Sequence, residues 1–265
     1  MSLETILWLS ASVAEAAVIA LLLFRRVWRS FPLFFAYSAW TLLSSAADYL
    51  ILLNYPVSSP VYRTNYLVSV IVDSVLLFCV LIELAWSILR PVRSSLPRGA
   101  LAVIFLLIFA LGAAIWPFAA YPGAEHLSRE TAAVLRIQQT FSILRVVVFL
   151  ALAGFSQLLS IGWRDRELQI ANGLGFTSLV GLAVAFVHTH QSTWAQYNNL
   201  YQIGVAGYLC SLLYWIVSFS QKEAERRAFT PQMQNMLLAV AGAARTTRVA
   251  LADSAKDETQ RRGRP

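Results

Sequence analysis

Seven apolar runs, each about as long as a bilayer is thick, dominate this chain at approximately residues 4 to 24, 31 to 53, 64 to 89, 99 to 118, 136 to 162, 168 to 189 and 196 to 219. In hydrocarbon no water satisfies a backbone N–H or C=O, so a segment of about 20 apolar residues crosses as a helix or not at all. The fold expected is an all-α integral membrane bundle of seven transmembrane helices. Composition agrees: 58% of residues are hydrophobic and only 13% charged, with a mean hydropathy of +0.60. Residues 1–220 then form the bundle and 221–265 a cytoplasmic tail, which leaves no room for a second folded unit.

Charge sets the orientation. The formal net charge is +7, but the basic residues are scattered over short segments beside apolar runs, which argues against a nucleic-acid partner. Arg25, Arg26, Arg29, Arg90, Arg93, Arg98, Arg164, Arg166, Lys222, Arg226 and Arg227 fall on one side; Arg63, Arg129 and Arg136 fall on the other. The positive-inside rule places the first group in the cytoplasm, with the N-terminus outside and the C-terminus inside. The first run lacks the basic n-region of a signal peptide, so it is read as a retained helix. Localisation to a plasma membrane, the bacterial inner membrane, follows. Within the tail, a weak 3.6-residue pattern over 232–252 predicts an amphipathic helix; an Ala-rich, partly disordered tail is the alternative. The residues after it read as disordered.

Ionisable residues inside apolar runs are expensive and must face protein or water. At about 1.5 Å rise per residue, Asp73 lies about 24 Å from an inner boundary at Leu89, and Arg145 about 24 Å from one at Ile161. Asp48 counted from Phe31, and Gln202 counted from Phe219, each come out about 25 Å deep. The four are therefore expected in one outer layer. Helical phase adds Thr41, Ser44 and Ser45 to the Asp48 face, Asn65 and Ser69 to the Asp73 face, Gln138 and Ser142 to the Arg145 face, and Asn198 to the Gln202 face. These residues predict either a polar pocket in the outer half, with Arg145 paired to Asp73 or Asp48, or an interhelical clamp without a ligand. Glu15 and Glu83 lie deeper and are candidate proton carriers, with plain hydrogen bonding as the alternative. His188 and His190, at the outer end of the sixth run, are candidate pH sensors. Their i, i+2 spacing does not suit a helical zinc site, and no metal is expected.

Known membrane families fail on particular residues. A retinal Schiff base needs a lysine in the last helix, but Lys222 and Lys256 both lie beyond Phe219. Seven-helix zinc hydrolases need core histidines, and the three here are peripheral. The layout resembles small sugar transporters in helix count alone, because the proline-glutamine signature is absent from the helices. No P-loop, kinase or G-x-S-x-G motif occurs. Cysteines Cys79 and Cys210 lie inside apolar runs and read as small buried hydrophobes. The expected function is thus a non-enzymatic ligand-binding, sensory or accessory module without a cofactor. Its partners are the lipid bilayer, a small polar or cationic ligand, and a cytoplasmic protein met through the tail. A small-solute or proton-coupled transporter is the second reading and an intramembrane metal hydrolase the third.

Overall fold

The computed structural model describes residues 3–56, 59–88, 99–119, 129–154, 165–188 and 194–221. Among them are seven long helices and no strand: α1 (Leu3–Phe24), α2 (Pro32–Asn54), α3 (Pro60–Ile88), α4 (Ala100–Ile115), α5 (Arg129–Gly154), α6 (Arg166–His188) and α7 (Trp194–Ser220). Each coincides with one apolar run. Prolines set two of the starts, since a ring-fixed φ suits the first helical turn and the missing N–H is not needed there: Pro32 opens α2 and Pro60 opens α3. The chain leaves α1 through Arg26, which takes a left-handed conformation (φ 56°) at a position where glycine is usual.

Five helices, α1, α3, α4, α5 and α7, are long and apolar enough to cross a membrane. The protein is accordingly a multi-pass membrane protein. Helices α2 and α6 are each 23 residues long but carry polar stripes, Thr41 to Asp48 on one and Asn172 to Ser178 on the other. Both nonetheless present large apolar side chains outward, Leu43 at 65% exposed and Phe176 at 46% among them.

Consecutive helices run antiparallel. At one end, called lower here, the end of α1 meets the end of α7 where Arg25 bonds the Ser220 carbonyl, and the end of α3 meets the start of α6 where Ser87 bonds Glu167. At the upper end, Asn65 of α3 donates to Asp48 of α2, and Arg136 of α5 donates to the Trp116 carbonyl just after α4. Helices α1, α2, α3, α5, α6 and α7 form a ring in that order, and α4 packs outside it against α3 and α5.

The lower half of the ring is filled. Phe34 meets Trp215 and Phe219 edge-on, at centroid distances of 5.1 and 6.2 Å, and Leu22, Leu84 and Leu174 complete a buried apolar plug. A smaller cluster of Leu81, Ile108, Ile115 and Leu144 holds α4. Helices α6 and α7 meet in a close seam. A Cβ on Gly173 would collide with the Trp215 indole, and one on Gly207 would come within 2.7 Å of Val180. Glycine lets backbones approach in this way, and polar groups then bond across the gap. Here Ser211 donates to the Gly173 carbonyl at 3.1 Å and Thr177 donates to the Ser211 hydroxyl at 2.7 Å.

Candidate functional site

The polar groups divide by height, and the lower end is mostly helix capping. Helix α2 starts at Phe31–Pro32 without a side-chain cap of its own. Its second and third residues, Leu33 and Phe34, donate their N–H groups to the two oxygens of Glu83 at 3.0 and 2.9 Å, and Phe35 already bonds the Phe31 carbonyl. One carboxylate thus satisfies the orphan donors of a helix start and meets the positive end of its dipole. At the end of α7 the signs are reversed. Arg166 donates to the Ser218 carbonyl at 2.9 Å and the Gln221 carbonyl at 2.8 Å, Arg25 donates to the Ser220 carbonyl, and the Arg166 guanidinium lies 5.3 Å from the centre of the Phe219 ring.

Midway up, Glu15 is 3% exposed and accepts a 2.7 Å hydrogen bond from the Tyr208 hydroxyl. Asp73 and Arg145 lie within electrostatic range of each other and of Tyr37. Their level follows from α3 and α5 running parallel: Gln138 reaches the Tyr66 hydroxyl at 3.4 Å, and Asp73 and Arg145 each stand seven residues farther down their helices. Arg145 donates to Ser142 of its own helix at 3.2 Å, and its buried Nε has no hydrogen-bond partner among the described residues.

Asp48 sits higher. Asn65, which bonds Asp48, precedes Asp73 by eight residues on α3, about 12 Å of helix rise, so Asp48 lies above Asp73 along the bundle. The single outer layer expected from counting inward from each helix end therefore splits in two, with Asp48 in the upper part and Asp73 and Arg145 in the lower. Counting failed because it gave all helices one inner boundary. The contact of Glu83 with the first turn of α2 shows that α3 continues beyond the start of α2 at the lower end. It also gives Arg145 a nearby acid in Asp73, while Asp48 bonds Asn65.

Two cavities open the upper half of the ring. The outer one, about 540 Å³, is lined by Trp8, Ser45, Asp48, Tyr49, Tyr62 and Gln202 with Leu7, Leu52, Leu53 and Val205. The deeper one, about 330 Å³, is lined by Trp8, Ala11, Ser12, Glu15, Ser45, Gly181, Val184, Gly204, Val205 and Tyr208. Trp8, Ser45 and Val205 belong to both walls, so the cavities run on from one another. Trp8 stacks on Tyr49 at 4.8 Å. A Cβ on Gly181 or Gly204 would meet no atom within 4 Å, so these glycines leave space rather than admit a neighbour.

Of the residues singled out in the sequence, Asp48, Gln202 and Glu15 line this continuous space. Asp73, Arg145 and Ser142 face the interior at mid-height, and Ser69 is half-buried on α3. Glu83 is at the lower end in its capping position. Thr41 and Ser44 bond carbonyls of their own helix. The His188 and Asn198 backbones are helical, but their side chains, like all of His190 and the tail from 222 onward, lie outside the described residues. Sequence reasoning does not single out Trp8, Tyr49 or Tyr208 as wall residues. The signal available was phase: Trp8, Ser12 and Glu15 share one face of α1.

Compared with known proteins, the chain matches no family model, and no curated protein or solved structure matches it significantly.

Proposed function

We propose that all seven helices span the membrane, with the upper end facing outward and the tail in the cytoplasm, and that the protein is a non-enzymatic module binding a small polar or cationic ligand from the outer side. The observation that carries this reading is the asymmetry of the ring: a cavity in its upper half that carries Asp48, Gln202 and Glu15, above a lower half plugged by Phe34, Trp215 and Phe219. Such a cup admits a ligand from one side and retains it. Binding would be passed to a cytoplasmic partner through the tail, which leaves α7 at the lower end. The scatter of basic residues supports the orientation, and a plasma membrane, as in bacteria, is the membrane assigned.

A thermal-shift screen of small polar compounds on protein in nanodiscs tests the reading. Compounds that stabilise the wild type should lose their effect in Gly204→Phe, which fills open cavity space, and in Asp48→Asn. If no compound behaves in this way, the reading is overturned.

A transporter is the second reading, favoured by the continuity of the cavity down to Glu15 at mid-height. It predicts pH-driven solute uptake into liposomes that is abolished in Glu15→Gln.

A further inference from the structure

We propose that the upper cavity recognises a linear aliphatic diamine, one ammonium held at Asp48 and the other at Glu15. The proposal rests on the reading of this cavity as a ligand site and specifies its chemistry. Among the described residues the continuous wall carries two carboxylates and no lysine or arginine. Asp73, by contrast, has Arg145 within electrostatic range. An uncompensated carboxylate in a desolvated site is costly, and a bound cation removes that cost.

Each carboxylate has one oxygen engaged: Asn65 donates to Asp48 Oδ1 and Tyr208 to Glu15 Oε1. The second oxygen of each has no hydrogen-bond donor among the described residues, and an ionised carboxylate accepts several. These neutral donors fix the carboxylates without neutralising them. A monoamine would compensate one acid and leave the other alone, whereas a diamine compensates both.

Spacing and lining fit the same ligand. Trp8 stacks on Tyr49, the neighbour of Asp48, so Asp48 and Trp8 are nearly level. Glu15 is seven residues farther down α1, about 10 Å along the axis. Two charge-assisted hydrogen bonds of about 2.8 Å take up part of that distance, and a methylene chain of a few carbons spans the rest. Between the acids the wall is Trp8, Ala11 and Val205, apolar enough for methylenes, and the aromatic faces near Asp48 favour a cation.

The test measures thermal stabilisation and Kd for a series of α,ω-diaminoalkanes of increasing length, beside monoamines of matched length, on protein in nanodiscs. Binding should peak at an intermediate diamine length and weaken about tenfold or more in Asp48→Asn and equally in Glu15→Gln. Both substitutions keep an oxygen acceptor for Asn65 or Tyr208, so the fold is retained. Monoamines binding as tightly as diamines, or a loss in only one variant, would overturn the diamine assignment. A different compound stabilising the protein through Asp48 and Gly204 would overturn it too while leaving the cavity reading intact. Absence of any such compound would remove both.

Discussion

Glu83 shows how a carboxylate in an apolar helix is held by the backbone donors of a neighbouring helix start. Its oxygens bond the Leu33 and Phe34 N–H groups, so Glu83→Ala leaves two donors unmet at the α2 start and should cost about 2 kcal/mol. Glu83→Gln keeps one acceptor oxygen and should lose roughly half of that. Unfolding titrations in mixed detergent micelles measure both, and equal losses would show that the oxygen kept in Glu83→Gln contributes nothing. The Asp73–Arg145 relation gives a second test. The two face each other in range but not in a shared bond, so Asp73→Asn and Arg145→Gln should depart from additivity by about 0.5 to 1 kcal/mol. Strict additivity would mean the charges do not interact. These cases also explain what the residues could and could not disclose. That Asp48, Asp73 and Arg145 face inward follows from their chemistry and phase. The partner of Glu83 could not be read, because a backbone N–H has no letter in the sequence; the same holds for the carbonyls bonded by Arg25 and Arg166.

At the scale of helices, the sequence is most informative about extent and least about register. Long apolar runs bounded by Pro32, Pro60 and polar loops locate every helix, because hydrophobic length is a property of the segment itself. How far α3 slides against α2 is a property of the pair, settled by Glu83 at one end and Asn65 at the other, and no single run contains it. The α6–α7 seam depends on close approach in the same pairwise way. Gly173→Ala places a methyl group in the Trp215 ring and should destabilise by about 1 to 3 kcal/mol. Gly181→Ala, with no atom within 4 Å of the new carbon, should change stability by less than about 0.5 kcal/mol. The same detergent titration compares them, and a larger loss at Gly181 would contradict the packing described.

For the whole molecule, the proposed orientation makes a direct prediction. A reporter fused after Gln221 should be active only on the cytoplasmic side, and a cysteine placed at Ser59 should react with an impermeant thiol reagent from outside. Labelling of Ser59→Cys from the cytoplasmic side instead would invert the topology and with it the side from which the cavity is reached. The lower end carries a mechanical consequence. The start of α2 is tied by Glu83 and the end of α7 by Arg25 and Arg166, and these two helices supply the Phe34, Trp215 and Phe219 rings of the plug. The bundle is therefore bound at its base like a sheaf, while its rim is held by lighter ties, the Asn65–Asp48 bond and the Trp8–Tyr49 stack among them. On the reading proposed above, a molecule entering the rim would lever α2 and α7 about that tie, and the segment that follows α7 begins just beyond the fulcrum.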